Sequence, residues 1–529
     1  MTNIPNWFSR LAPVPSILRA ACLAALVFTV GQVQGQSALD DGSRIGRSAS
    51  AKAPEFQELY DYDGAALSLA DATFPYEVQL HRAHALMLSE QRILSDVETR
   101  QILRGLSRVD VQAQQDATLR AYLPYEHALI KAIGPVAGKL HIGRSRNDLA
   151  NAVNRMFYRD QVNRTLEALI ALRRTLNDQA AAQIDTVMVV YTHRKQAQPI
   201  TLGHYLMAIS ESLGKSIDRY EQLYGRMNLN PLGAAASAGS GWPLDRQRTA
   251  HLLGFDGLVV NTIEATAGWD HIAEFAADNA IYMSMLSRLA SEIQLWSSDE
   301  YRSAELDGAF AGTSSIMPQK KNPDSLERTR QIAAATMGPL VSILASLNGI
   351  EYQHSVARVA LEPRSIDAML AATHAMTGVV RTLQPQRAQM LHYAAEGFST
   401  MTELTDTIVR ESGISFRDAH EVMAAVVEGA LAEGKKANAI DLAMIEQAAQ
   451  KKLGRTLNVS AEAVRQALDP VQNVARRDGI GGPAPSSVRT MIDAASAQTA
   501  QQAARQALRL RRVRDAQAQL TAAVAEKLR

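Results

Sequence analysis

Ser314, Ser315, Lys320, Lys321 and Asn322 crowd into one stretch, GTSSIMPQKKNP (312–323), that neither a helix nor a strand pattern explains. Hydroxyls, ammonium groups and an amide side chain supply charge and directed O–H and N–H donors, which is what a carboxylate requires of a receptor. Two other polar breaks carry similar groups. GRSRND holds Ser145, Arg146 and Asn147, and YTHRKQAQP holds Thr192, His193 and Gln198. An imidazole such as His193 can move a proton near neutrality. The sequence has no Cys/His cluster, no HExxH pair and no glycine-rich phosphate loop, so it offers no support for a metal or a nucleotide.

Such groups need a scaffold, and the flanking segments supply one. In PYEVQLHRAHALMLSEQRIL, Val78, Leu80, Ala83, Leu86, Met87 and Leu88 build an apolar face at helical spacing. TLEALIALRRTLNDQAAAQI, HIAEFAADNAIYMSMLSRLASEIQLWSS and RTRQIAAATMGPLVSILASLNGI follow the same pattern, the last two long enough to imply a bundle of long helices. His84, His141, Trp296 and the helically spaced methionines read as packing residues. No fixed-period repeat and no long alternating strand pattern occurs. The Ala/Gln/Arg-rich tail from about 495 reads as a solvated helix.

Length and composition agree. A chain of 529 residues, 47% hydrophobic and 5% aromatic, suits a large α-rich core divided among several domains. With 55 Lys and Arg against 54 Asp and Glu, a net charge of +1 argues against nucleic acid as partner. The single cysteine, Cys22, sits in AACLAALVFTV behind Arg10 and Arg19. A basic start, a short apolar run and small residues near Gly35 read as a signal peptide over about 1–35, with export to the periplasm and no membrane segment in the mature form. An uncleaved leader on a cytoplasmic or anchored protein is the other reading. Residues 36–55 read as a linker.

Several ordered stretches carry a resemblance. TSSIMPQKKNPD resembles the signature loop of the fumarase/aspartase superfamily. KLHIGRSRNDLA, YTHRKQAQPITLGHYL, NPLGAAASAGSGWPLDR, LSRLASEIQLWSSDEY, GISFRDAHEV and LDPVQNVARRDGIGGPAPSSV resemble argininosuccinate lyase, over about 71–488. The resemblance implies an all-α, three-domain fumarase/aspartase-type fold whose central long-helix bundle forms a homotetrameric core. The domains would be an N-terminal helical domain (36–144), a central bundle with the catalytic loops (145–394) and a C-terminal helical domain (395–529). It implies elimination of an amine or amidine from an N-substituted aspartate with release of fumarate and no metal or organic cofactor, each active site being assembled from loops of three subunits. Ser314 matches the catalytic base. Lys320 and Asn322 match the ligands of the carboxylate beside the acidic C–H. His193 matches the proton donor or relay, and Glu327 the acid that holds it. Ser145, Arg146, Asn147 and Thr192 match substrate-carboxylate contacts, and Gln198 keeps the family pattern. A serine can act as base only where cations and loop N–H groups stabilise its alkoxide. Lys321 reads equally well as a structural or solvent-facing charge.

The departures fall on the other half of the substrate. Ile142 replaces a threonine of HTGRSRND, Trp269 an arginine of SDRD, and Thr313 a glycine next to Gly312. THLQRAQP has become THRKQAQP, and an EDxH segment is absent, with Tyr122 in its neighbourhood. The family's YNRDLQED, which holds the arginine moiety, corresponds to HSVARVALEP, with His354 and Val359 for its Tyr and Gln and Glu362 for a following lysine. The grip on the four-carbon diacid is kept and the grip on guanidinium is altered. The same elimination on a different N-substituent is therefore expected, with His354 and Glu362 on the leaving-group side. Candidates are aminopolycarboxylates of the ethylenediamine-disuccinate type and other N-(dicarboxyethyl) amino acids. The alternatives are an argininosuccinate lyase with drifted contacts, a non-catalytic member like the lens crystallins, and a periplasmic solute-binding role.

Overall fold

The computed structural model describes residues 54–61 and 65–529; the expected leader, Cys22 and nearly all of the expected linker lie outside them. The middle of the chain consists of long helices: Arg146–Ala182, Leu202–Met227, Asp270–Trp296, the successive Asp324–Ala335 and Met337–Asn348, and Pro363–Thr382. Each starts or turns where the sequence permits. Ser145 caps the first with a reciprocal box to Asp148, and Thr201 caps the second through the His204 N–H. The 146–182 helix then buries Leu166, Leu169, Leu172, Leu176 and Ala180 along one face. These meet Leu206, Leu213, Ile217 and Leu223 of the 202–227 helix and Phe275, Leu286 and Ile293 of the 270–296 helix. Each fully buried leucine or isoleucine contributes roughly 1.5–3 kcal/mol, so a bundle of this length is a rigid mount for whatever its loops carry. The chain is all-α in class and built from several cores, as the sequence implied.

A second core lies under the N-terminal helices, from Leu80 through Tyr125 to Met156, and a third spans Leu404 to Leu468. The final helix, Pro485–Leu528, is helical as expected but is not simply solvated. Thr499, Gln502 and Gln506 are buried, and they face polar groups that the bundle would otherwise strand. Arg173 donates to Gln502 (2.9 Å) and Gln498 (2.8 Å), Asn177 to Thr499 (3.3 Å), and Gln506 to Asn163. The glutamines therefore satisfy a buried guanidinium. Arg173 in turn needs Gly214, where any Cβ would lie 2.6 Å from its guanidinium.

Strands are short and paired in twos. The largest pair, β1 (Val187–Thr192) and β2 (Lys195–Thr201), turns what the sequence presents as a polar break into a hairpin. β-branched residues in VMVVYT favour that outcome. The stretch 312–323, also unpatterned in sequence, is closed at its base by a ladder of Gly312 with Asn322 and Thr313 with Lys321. The Asp324–Asn348 segment is long and apolar enough to cross a membrane by length and composition, and only 17% of its most apolar window is buried. Met337, Val341 and Leu344 on it, and Ile281 on the 270–296 helix, are exposed.

Candidate active site

The 314–320 loop hangs from that two-residue ladder. Its base is close-packed: a Cβ on Gly312 would run into the Asp324 carboxylate, so a larger residue there requires that side chain to move. The Ser314 hydroxyl oxygen accepts from the Ile316 N–H (3.3 Å) and the Met317 N–H (3.0 Å). Two backbone donors aimed at one serine oxygen favour the oxygen carrying negative charge. Lys321 is held in an ion pair with Glu305, whereas Lys320 is exposed and makes no ion pair among the described residues. Lys320, Asn322 and Glu327 line one open cleft with Glu300, Arg302 and Asp324. Glu327, in the first turn of its helix, accepts from Gln294 (3.2 Å). The cleft measures about 1310 Å³, well beyond the roughly 300–1,000 Å³ of an ordinary ligand pocket. A four-carbon diacid needs further walls.

Thr192 and His193 lie at the tip of the β1–β2 hairpin. Thr192 pairs with Lys195, leaving a two-residue turn in which His193 (φ 53°) and Arg194 (φ 59°) are both left-handed. Asn and Gly usually occupy such a turn, so two bulky residues there store backbone strain. His193 is exposed and has no hydrogen-bond partner among the described residues, Glu327 included. Gln198 is half-buried on β2, beside the irregularity between Val189 and Tyr191.

The third group is the best ordered. Ser145 is the helix cap, Arg146 and Asn147 begin the helix, and Asp148 is buried beneath them. The Asp148 carboxylate accepts from Ser145 N–H (2.8 Å), Gly233 N–H (2.8 Å) and Ala235 N–H (2.9 Å). It thereby fastens the GAAASAG loop to the SRN turn. Ala235 (φ 50°) and Ser237 (φ 76°) are left-handed there, and Ser237 bonds Thr266 (2.7 Å). Burial pushes the Asp148 pKa up, against the pull of these N–H groups and of Arg144. Asp148→Ala leaves three buried N–H groups unpaired, and a loss of roughly 3 kcal/mol is expected. Chemical denaturation reads it, and activity should fall with it because the SRN turn loses its tie.

From this turn a run of contacts leads to the loop before Pro363. Asn151 donates to the Asn147 carbonyl (2.9 Å) and the Thr266 carbonyl (3.1 Å). Arg358 donates to that same Thr266 carbonyl (3.0 Å) and lies over the Trp269 ring, 4.5 Å from its centroid. His354 accepts from Arg358 through Nδ1 (2.7 Å). His354 therefore joins this group. Glu362 does not: it is exposed at the head of the 363–382 helix and has no hydrogen bond among the described residues. In one chain, then, the expected site residues form three separate sets, and no hydrogen bond or ion pair links one set to another among the described residues. Sequence reasoning missed Asp148 and Arg358. The signals were present, in an acid closing a capping box and in a lone arginine inside the altered HSVARVALEP.

Cations dominate the third set. Burial with Arg144 and Arg146 brings His141 down to about 4, and burial with Arg155 brings His271 down to about 3. His81 and His84 are also lowered, chiefly by burial. These imidazoles refuse protons that the unfolded chain takes up below about pH 6.5. Stability is therefore full above that pH and declines as pH falls toward 4. Asp278, raised to about 6 by burial, works in the opposite sense, as do Asp110, Asp148 and Glu292, which burial also raises. Thermal melts should show Tm falling from pH 7 to pH 5, and His271→Leu, which removes one such group, should shallow the slope. The effect is on the order of 1 kcal/mol per pH unit per fully buried histidine.

Residues 78–338 match the family model described as Lyase, and residues 398–475 the one described as Argininosuccinate lyase C-terminal. Argininosuccinate lyase of Methanococcoides burtonii is 37% identical over 430 residues, covering 79% of this chain and 86% of the relative. The crystal structure of an EDDS lyase in complex with formate is 62% identical, with a TM-score of 0.86, covering 92% of this chain and 98% of that one. A structure of an EDDS lyase variant with bound fumarate matches to the same degree. The 3-carboxy-cis,cis-muconate lactonizing enzyme of Pseudomonas putida shares the fold, with a TM-score of 0.64 at 17% identity over 85% of this chain and 98% of that one.

Proposed function

Because the chain belongs to the argininosuccinate lyase branch of the fumarase/aspartase superfamily, and so is a carbon–nitrogen lyase, we propose that Ser314 is the base of an elimination that releases fumarate from an N-substituted aspartate. The Ser314 alkoxide takes the β-proton. Lys320 and Asn322 hold the adjacent carboxylate and stabilise the aci-carboxylate that forms. The C–H electron pair becomes the C=C bond, the Cα–N bond breaks, and the leaving amine takes a proton supplied by His193, which Glu327 holds. Ser145, Arg146, Asn147, Thr192 and Gln198 bind the diacid. The observation that carries this reading is the Ser314 oxygen receiving two backbone N–H groups in the loop whose Lys320 makes no ion pair among the described residues.

The site is completed by other copies of the chain. Three sets that stay apart in one protomer, a cleft too wide for its ligand, and the exposed apolar side chains of the 324–348 segment all favour a homotetramer. The 314–320 loop acts as a lid that shuts out water once substrate is bound. The substrate is an aminopolycarboxylate of the ethylenediamine-disuccinate type, in keeping with the EDDS lyase neighbour and with the altered guanidinium contacts. The enzyme works in the periplasm, after removal of the leader. A second reading, turnover of argininosuccinate itself, draws on the identity to argininosuccinate lyases. Fumarate release, followed by ultraviolet absorbance over a panel of N-substituted aspartates, decides between them. Ethylenediamine-disuccinate should be cleaved at least about a hundredfold faster than argininosuccinate, and the reverse order would establish the second reading.

A further inference from the structure

Three departures from the argininosuccinate lyase pattern, Trp269, His354 and Val359, are scattered in sequence but form a single body in space. The Trp269 indole N–H donates to the Val359 carbonyl (2.9 Å). Arg358, between the other two, spreads its guanidinium over the same indole and donates to His354 Nδ1. It also donates through Nε to Ser355 O (3.1 Å), and through one terminal nitrogen to Thr266 O (3.0 Å) and Ala267 O (3.4 Å). A guanidinium has five N–H donors and accepts nothing. Four are engaged here, and none meets a carboxylate. Since Arg358 can only donate, His354 Nδ1 must accept and its ring proton sits on Nε2, a further donor.

The charge of Arg358 is thus held in place and left unmatched. Burial alone lowers its pKa to about 10, and no acid stands close enough to oppose the shift. Glu264, in the helix that ends at Ala267, is engaged by the Tyr352 hydroxyl. Arg146, whose charge is felt at His354, has no ion pair among the described residues either. A half-buried guanidinium stacked on tryptophan, bonded to an imidazole that also feels a second arginine, is a poor neighbour for a cationic leaving group and a good one for an anion.

We propose that Trp269, Arg358 and His354 act as one specificity-determining unit that receives a carboxylate on the leaving amine. The enzyme thereby selects N-substituted aspartates whose amine half carries a carboxylate within a few bonds of the scissile nitrogen, over those whose scissile nitrogen belongs to a guanidinium. This rests on the elimination reading above and adds to it the residues that read the amine half.

The test uses two isosteric substrates, aspartate N-substituted with 3-aminopropanoate and with its primary amide. The purified full-length protein should favour the carboxylate over the amide at least about tenfold in kcat/KM, mainly through KM. Arg358→Gln should bring that ratio close to one. An indifferent wild type, or an Arg358→Gln enzyme slower on both substrates with the ratio intact, overturns the proposal and leaves Arg358 a loop staple. Titration calorimetry of 3-aminopropanoate and its amide on the Ser314→Ala variant, each with fumarate present, reads the same preference without turnover. Absence of fumarate release from any substrate would strike the elimination reading alone, and equal binding of the two amines would then overturn this one.

Discussion

Ser314→Ala should lower fumarate release by at least about a thousandfold while leaving the fold intact. Ser314 is half-exposed in a loop, and its only hydrogen bonds among the described residues are those it accepts from the Ile316 and Met317 N–H groups. Losing them costs little stability, within roughly 1 kcal/mol. The loss should appear in kcat with KM nearly unchanged, because Lys320, Asn322 and the SRN turn still bind the diacid. Activity above a tenth of wild type would place the base elsewhere. A matching loss in Lys320→Met but a raised KM would separate binding the carboxylate from removing the proton. Lys321→Met should be much milder, since its ammonium group is committed to Glu305.

Co-refolding two inactive variants should restore activity. Ser314→Ala and His193→Gln each disable every site of their own homotetramer. If Ser314 and His193 of one site come from different chains, random mixing leaves some sites with both residues intact, approaching about a quarter of wild-type activity. Sites contained within one chain would stay dead in any mixture. That no hydrogen bond among the described residues joins His193 to Glu327 or to the 314–320 loop leads to this expectation, and unmixed samples refolded in parallel set the baseline.

Much of the architecture is legible along the chain. The Ser145–Asp148 capping box marks the start of the 146–182 helix, and the apolar spacing of HIAEFAADNAIYMSMLSRLASEIQLW marks the body of 270–296. Caps and one-face periodicity act over one or two turns, so short sequence windows contain them. The hairpin at 187–201 and the ladder under the 314–320 loop are less visible. Few residues make them, and they are fixed by what packs around them. The tail helix misleads because its glutamines look solvated until Arg173 is found waiting for them.

By itself, the amino-acid order determined the family, the all-α class, the reaction type and the residue types that the loop between Gly312 and Pro323 brings to a carboxylate. It could not say that Lys321 is spent on Glu305 while Lys320 has no ion pair among the described residues, that Asp148 binds two loops from below, or that Trp269 and His354 meet on one arginine. Those facts depend on side chains separated by dozens of residues meeting at hydrogen-bond distance. Only the packing of rigid helices sets such distances, and no local propensity along the chain encodes them.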